Sequence, residues 1–298
     1  SDDLTHSILC EWANRDRRVR VINQPHRGIL SALNSGLQAC KSPYIARMDA
    51  DDHSLPERFE HQVANLDKHP DTAVVGCLVR GFPPQKVREG FQIYLSWLNS
   101  LVSDADIRRQ IFVESPFAHP SVMMRKDWLD RVGGYREMGW PEDYDLWLRL
   151  YLVGARFLKV EKFLLEWRES PERLTRSDRR YSVENFLRAK AHYLTKGPLF
   201  NCDSVIVWGA GMTGRRLSKH LIREGASLVA FVDVDPKKIG RTLRMLPIID
   251  PKNLPNYLQR YPKTKVLAAV GARGARQLIR QQLNSMGLQE GKDWWGVA

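Results

Sequence analysis

The sequence contains no apolar run long enough to cross a bilayer and shows no secretory leader, so nothing in it points to a membrane-spanning or exported chain. Its four cysteines (Cys10, Cys40, Cys77, Cys202) lie far apart without a C-x-x-C pair. Reduced thiols in a cytoplasmic setting are the simplest account of that spacing. Internal repeats and low-complexity tracts are absent too, and residue 1 is a serine, not a methionine. What remains is ordinary globular material of 298 residues, 43% hydrophobic and 27% charged, long enough for two domains. Acidic charge is scarce in one place only. Residues 204–298 carry 16 of the 46 Lys+Arg but 6 of the 34 Asp+Glu, which places +10 of the total +12 there. A basic module behind a near-neutral one suits a polyanionic partner: nucleic acid, an acidic membrane surface or a phosphorylated ligand.

The densest chemistry lies in Tyr44-Ile45-Ala46-Arg47-Met48-Asp49-Ala50-Asp51-Asp52. It reads as a short buried strand ending in three carboxylates. Residues two apart on an extended segment point the same way, so Asp49 and Asp51 face one ligand, with Asp52 beside them. Carboxylates this close are costly unless a cation sits between them. A hard divalent ion with open positions for phosphate oxygens meets that need. The competing account is local. Ser54-Leu55-Pro56-Glu57 has the form of a capping box with a first-turn proline, and acids ahead of a helix also complement its dipole.

Around this cluster, helices are expected over Leu4–Asn14 and Gly28–Ala39, the latter with Ile29, Leu33 and Leu37 on one face. Strands are expected over Val19–Ile22 and Thr72–Val79, and Phe59, Val63 and Leu66 mark the buried stripe of the helix between. Phe91, Tyr94, Leu95, Leu98 and Leu101 suggest an amphipathic helix over one side of the site. A second constellation runs from Ser115 to Leu150. It holds His119-Pro120-Ser121, the strand Val122-Met123-Met124, Gly133-Gly134-Tyr135, and a helix opened by Pro141-Glu142-Asp143-Tyr144-Asp145. Those acids are also ordinary first-turn residues, and Asp145 is placed to pair with Arg149 at i+4. Strands over Arg156–Val160 and Leu164–Arg168 and a helix over Ser182–Thr195 complete this half. An ion pair of Arg168 with Glu166 or Glu169 is one fate for that arginine. The boundary falls near 197–203, giving domains at 1–200 and 201–298.

In the second half, Ser204–Trp208 reads as a buried strand leading into Gly209-Ala210-Gly211-Met212-Thr213-Gly214 and a helix. Leu228–Val232 and Asp233 follow, with Asp233 nineteen residues beyond Gly214. This is the Rossmann fingerprint in its strand–turn–helix context, whose glycines permit close backbone approach to a phosphate. NAD is one candidate ligand, but no acid–base pair suited to hydride transfer accompanies the turn, and another nucleotide, an anionic ligand or a purely structural module are the alternatives.

From Arg18 to Gly76 the order of motifs resembles family 2 glycosyltransferases of the GT-A type. The matching residues are Val19-Arg20-Val21-Ile22, Gln24, Arg27-Gly28-Ile29, Ala32–Leu37, Ala39, Ala46–Asp52, Pro56–Phe59 and Gln62, with Pro141-Glu142-Asp143 resembling the second family signature. The fold this implies is α/β: a GT-A nucleotide-sugar transferase domain followed by a small Rossmann-like α/β domain. Family members carry further strands and a helix before this point, so the transferase domain is expected to be N-terminally incomplete, with Ser1-Asp2-Asp3 as the tail of an acidic loop. The resemblance implies an inverting, metal-dependent transfer from a nucleotide sugar, UDP-linked, to an acceptor hydroxyl. Asp143 would be the base, with Glu142 orienting the site. Asp49, Arg27 and Arg168 would face the donor, Asp51 and Asp52 would hold Mn²⁺ or Mg²⁺, and His119 would lie on the acceptor side. Gly209, Gly211, Gly214 and Asp233 would form the second domain's ligand loop.

The whole arrangement is also similar to the queuosine-tRNA galactosyltransferase type, through Gly76–Arg80, Pro83-Pro84, Gly211-x-x-Gly214-Arg215-Arg216 and Val229–Asp235. A tRNA acceptor and a surface-glycan or lipid-linked saccharide acceptor therefore both stand, with a cytoplasmic enzyme peripheral to the membrane as the setting. The alternative class is a catalytically incomplete nucleotide- or nucleic-acid-binding protein built on a transferase remnant.

Overall fold

The computed structural model describes residues 4–170 and 173–298. The Ser1-Asp2-Asp3 stretch lies outside the described residues. Helices α1 (Thr5–Arg15) and α2 (Gly28–Ala39) lead to strands β1 (Tyr44–Ala46) and β2 (His53–Ser54), helix α3 (Arg58–Lys68) and strand β3 (Thr72–Phe82). Then come α4 (Glu89–Ser100), α5 (Asp104–Gln110), β4 (Met123–Arg125), α6 (Lys126–Val132), α7 (Glu142–Leu152), β5 (Arg156–Arg168), α8 (Leu174–Ser177) and α9 (Val183–Lys196). The second half runs β6 (Ser204–Trp208), α10 (Met212–Arg223), β7 (Leu228–Val232), β8 (Thr242–Leu243), β9 (Leu246–Ile249), α11 (Leu254–Arg260), β10 (Thr264–Ala268), α12 (Ala275–Ser285) and β11 (Trp294–Gly296). No helix among the described residues is long and apolar enough to cross a membrane.

The first sheet is ordered β1-β4-β3-β5-β2. Its centre is β3, whose alternating side chains serve two cores. Val75, Cys77 and Val79 face Leu66, Leu95 and Leu98, while Val74 faces the cluster of Phe117, Trp147 and Phe157. β3 and β5 run parallel over their length with register shifts near Cys77 and Leu78. β5 is one strand where two were expected, and its far end carries Trp167 and Arg168 toward the site. The second sheet is ordered β11-β10-β6-β7-β9-β8, with only β8 antiparallel. Its fully buried central strand β6 and the return of β10 to the other side of β6 make a doubly wound sheet.

Several local expectations are corrected. Residues 19–27 form no strand, and no neighbouring strand among the described residues bonds to them. The Asp-bearing stretch is a strand only over Tyr44–Ala46, half-buried at the sheet edge, and residues 49–52 make a turn closed by Asp52 N–H to the Asp49 carbonyl at 3.4 Å. The capping box at Ser54 does not form. Ser54 is paired with Leu165 in the sheet, so its hydroxyl is not at a helix start, and α3 begins only at Arg58. The buried stripe of α3 is Arg58, Gln62 and Leu66, with Phe59 exposed. Two polar side chains take that face because main-chain carbonyls wait there. Arg58 donates to Pro120 O at 2.7 Å and Arg47 O at 3.0 Å, and Gln62 to Val75 O at 2.9 Å and Ser121 O at 2.8 Å.

The Gly133-Gly134-Tyr135 motif has a clear task. Gly133 ends α6 in the left-handed conformation (φ 78°), and Gly134 follows at φ 62°. Asn34 of α2 then brackets Tyr135, donating to its carbonyl at 2.9 Å and accepting from its N–H at 3.0 Å. One apolar cluster spans both sheets: Leu187, Ala191 and Leu194 of α9 belong with Val205, Val207, Leu217 and Leu221.

Candidate functional site

A cavity of about 490 Å³ opens where the strands of the first sheet run out. The 49–52 turn brings Asp49, Asp51 and Asp52 to it, the first turn of α7 brings Glu142 and Asp143, and the turn at His119–Ser121 brings His119. Trp167 and Arg168 enter from β5, Tyr94 from α4, and Arg173, Arg176 and Tyr181 from the segment that follows β5. The two acidic motifs, ninety residues apart in sequence, thus line one cavity.

The carboxylates differ. Asp49 is paired with Arg47, Nη1 to Oδ2 at 2.5 Å. Asp52 is buried. Its Oδ1 accepts from the Arg168 N–H at 2.7 Å, while Oδ2 has no hydrogen-bond partner. Burial pushes its carboxyl up to about 6 against that hydrogen bond, with the Asp49 and Asp51 charges adding to the rise. Asp51 is exposed, and its carbonyl accepts from Arg168 Nε at 2.6 Å. Arg168 also lies over the Phe82 ring at 5.0 Å. Neither rival ion pair of Arg168 forms, because Glu166 is taken by Arg80 at 2.6 Å and His53 at 3.0 Å, and Glu169 by Arg173 and Arg176.

Asp143 is half-buried. One carboxylate oxygen accepts from the Tyr144 N–H at 2.7 Å, and burial together with the Glu142 charge pushes its carboxyl up to about 7, with Arg47 opposing. Glu142 is fully enclosed and accepts from the Tyr181 hydroxyl at 2.9 Å on each oxygen, with Arg180 at 4.0 Å. Asp145 belongs to the core. It accepts from Arg149 at 2.7 Å, Trp140 at 2.8 Å and Tyr193 at 2.6 Å. His119 is buried, hydrogen-bonded to the Tyr135 hydroxyl at 2.8 Å and edge-on to Trp147. Burial and then Arg47 hold its pKa well below the usual histidine range, so it is a neutral imidazole.

Arg27 is the expected donor-side residue that the fold leaves out. It is exposed at the start of α2 and does not line the cavity, whereas Ile29 two residues on does. The sequence reading missed Arg47, Glu114, Arg173, Arg176 and Tyr181 as lining residues. Only Arg47 carried a signal, sitting two before Asp49 on the same extended run.

In the second half, Gly209 turns at φ 120°, and a Cβ on Gly214 would lie 1.8 Å from the Gly209 carbonyl oxygen. The loop at Gly211 is open. Asp233 is already engaged: it accepts from Ala210 N–H at 2.9 Å, Asp235 N–H at 3.0 Å and Lys238 at 3.1 Å. Burial works against its ionisation, but those bonds hold its carboxyl below the usual range. Both oxygens of this expected ligand-loop acid therefore fasten the loop.

Comparison with known proteins agrees with this layout. Residues 1–133 match the model of glycosyl transferase family 2, and residues 201–285 that of the CoA binding domain. The amylovoran biosynthesis glycosyltransferase AmsE of Erwinia amylovora is 33% identical over 162 residues, 54% of this chain and 58% of that protein. The putative glycosyltransferase EpsE of Bacillus subtilis is 34% identical over 196 residues, 60% of this chain and 67% of that protein. The chain thus spans between about half and two thirds of such relatives. The structure of S. aureus TarS 1-349 in complex with UDP-GlcNAc aligns with a TM-score of 0.50 at 18% identity, over 75% of this chain and 60% of that one, a likeness of fold. With its GT-A-like sheet, its Rossmann-like second sheet and these relatives, the chain belongs to glycosyltransferase family 2.

Proposed function

We propose that the chain transfers a glycosyl group, with inversion, from a UDP-linked sugar to a hydroxyl of a growing glycan. In this reading residues 1–200 carry the transfer chemistry and residues 201–298 form a second domain packed against them. The observation that supports it best is the meeting of the Asp49–Asp52 turn and Asp143 in one cavity, with the Asp143 carboxyl poised at about 7. Asp143 takes the proton from the acceptor hydroxyl as that oxygen attacks the anomeric carbon. The bond from that carbon to the diphosphate breaks, and the nucleoside diphosphate leaves. Glu142, gripped by Tyr181, fixes the first turn of α7 and keeps negative charge beside the base. Asp49, oriented by Arg47, faces the donor nucleoside, and Arg168, Arg173 and Arg176 surround the diphosphate. Neutral His119 lines the acceptor side. A glycan acceptor is preferred over tRNA because the relative AmsE is named for amylovoran biosynthesis.

The residues present fit a divalent cation. The exposed Asp51 carboxylate and the unpartnered Oδ2 of Asp52 are hard oxygen ligands. No three acidic, histidine or cysteine side chains among the described residues form a closed metal cage, so the remaining positions fall to phosphate and water. Mn²⁺ or Mg²⁺, when bound, supplies positive charge to the leaving diphosphate.

Calorimetric titration with UDP tests the donor site. Binding should require Mn²⁺ and vanish in Asp51→Ala. Asp143→Asn should keep that binding and lose roughly 10³-fold in transfer, in line with removal of a general base. Normal turnover in Asp143→Asn would overturn the assignment.

A further inference from the structure

A second cavity, of about 530 Å³, lies between the halves of the chain. Tyr94 and Trp97 of α4 and Phe186 and Lys190 of α9 form one side, and Thr213 at the start of α10 and Gly271 beyond β10 form the other. Its second-domain side is the mouth of the crevice between β6 and β10, where the strand order reverses and open α/β sheets bind ligands. Tyr94, Glu114, Tyr181 and Phe186 line this cavity and the Asp-bearing one alike.

Lys190 gives the cavity its chemistry. The side chain is buried, and its ammonium donates to the Val113 carbonyl at 2.7 Å and the Val297 carbonyl at 3.1 Å. An ammonium has three protons to donate, so one bond remains open. No carboxylate among the described residues lies within ion-pair distance of it, and the Glu114 charge that favours its ionised form is opposed by Arg276, so the enclosed cation is only partly compensated. Burial accordingly pulls its pKa down. An anion in the cavity would complete both the hydrogen bonding and the charge, and Thr213 and Arg276, from the first turns of α10 and α12, line the same cavity. Arg276, Glu114 and Thr213 are further polar side chains of the lining, with Arg276 held by the Ala298 carbonyl and Gln110, and Ile93, Trp97, Val183 and Leu187 make an apolar wall.

We propose that this cavity binds the phosphoryl group of the acceptor. The acceptor's body lies on the Tyr94–Trp97–Phe186 wall, and its hydroxyl end passes Glu114 and Tyr181 to reach Asp143. The second domain is then the acceptor-holding module, an assignment that rests on the transfer reading above.

The test uses the full chain with its donor site filled by UDP and Mn²⁺, titrated with inorganic pyrophosphate. Lys190→Met and Gly271→Leu should each weaken pyrophosphate binding by about tenfold or more, as loss of a charged hydrogen bond or of the space itself implies, with UDP affinity unchanged. Gly271 lines the cavity and nothing lies within 4 Å of a Cβ there, so a side chain starts from this position without a clash. Wild-type affinity in both variants, or no binding in the wild type, overturns the site. Farnesyl diphosphate and ADP separate the sources of the phosphoryl group. Tighter binding of farnesyl diphosphate than of pyrophosphate supports an acceptor with an apolar body, whereas a gain with ADP alone overturns the acceptor assignment in favour of a nucleotide. Failure of UDP to bind counts against the transfer reading, and the comparison of wild type with Lys190→Met and Gly271→Leu still reads the second cavity.

Discussion

At Asp143 burial and the Glu142 charge both favour the protonated acid, Arg47 opposes them, and the balance falls at about 7. A base works only when deprotonated, so transfer should rise with pH through about 7 and level off above it. Glu142→Gln removes one of the charges that raise the Asp143 value. The midpoint of the kcat/KM profile should therefore move to lower pH, and a midpoint that stays or climbs would contradict the coupling. The acids of this pair, like Asp49, Asp51 and Asp52, were legible in the sequence because adjacent carboxylates are costly without a purpose. Glu114, Arg173 and Tyr181 were not. Each stands alone in its own stretch and acquires meaning only when folding carries it across the chain to the cavity. Arg27 errs in the other direction: it keeps company with motif residues in sequence, yet its side chain is exposed outside the lining.

Among elements, the turn between β6 and α10 separates two glycines by what surrounds them. A methyl group on Gly214 would meet the Gly209 carbonyl oxygen at 1.8 Å, whereas one on Gly211 meets nothing within 4 Å. Gly214→Ala should cost roughly 3 kcal/mol or more in urea unfolding, because main chain must move, while Gly211→Ala should stay within about 0.5 kcal/mol. Equal costs would show that the turn relaxes freely. The strand–turn–helix that holds these glycines was readable because its pattern is local and strict. Helix α3 was readable only in outline. Apolar periodicity pointed to Phe59 and Val63, but the carbonyls of Arg47, Val75, Pro120 and Ser121 converge on that face and select Arg58 and Gln62. No helical pattern in the sequence can report carbonyls contributed by other segments. The same limit explains Val19–Ile22, whose apolar alternation is strand-like but finds no bonded neighbour among the described residues.

For the whole molecule, the decisive feature is that one apolar cluster contains α9, β6 and α10 together with the core of the first sheet. Lys190, His220–Glu184 at 2.8 Å and Arg276–Gln110 at 2.9 Å add polar links across the same boundary. Two bodies that share a core lose it together, so scanning calorimetry should record one unfolding transition. Two well-separated transitions would mean that the boundary is a hinge between independent units.

The wall formed by Tyr94, Glu114, Tyr181 and Phe186 has a consequence for the history of such chains. Modular enzymes diversify by recombination at linkers, exchanging one domain while leaving the other untouched. Here a crossover at residue 200 would leave the wall with the first partner and deliver a foreign crevice to its far side. The recombinant would join cleanly along the chain and mismatch in the interior. New acceptors would then be reached through paired substitutions on α4 and α9 together with the loops they face, so the two halves diverge in step.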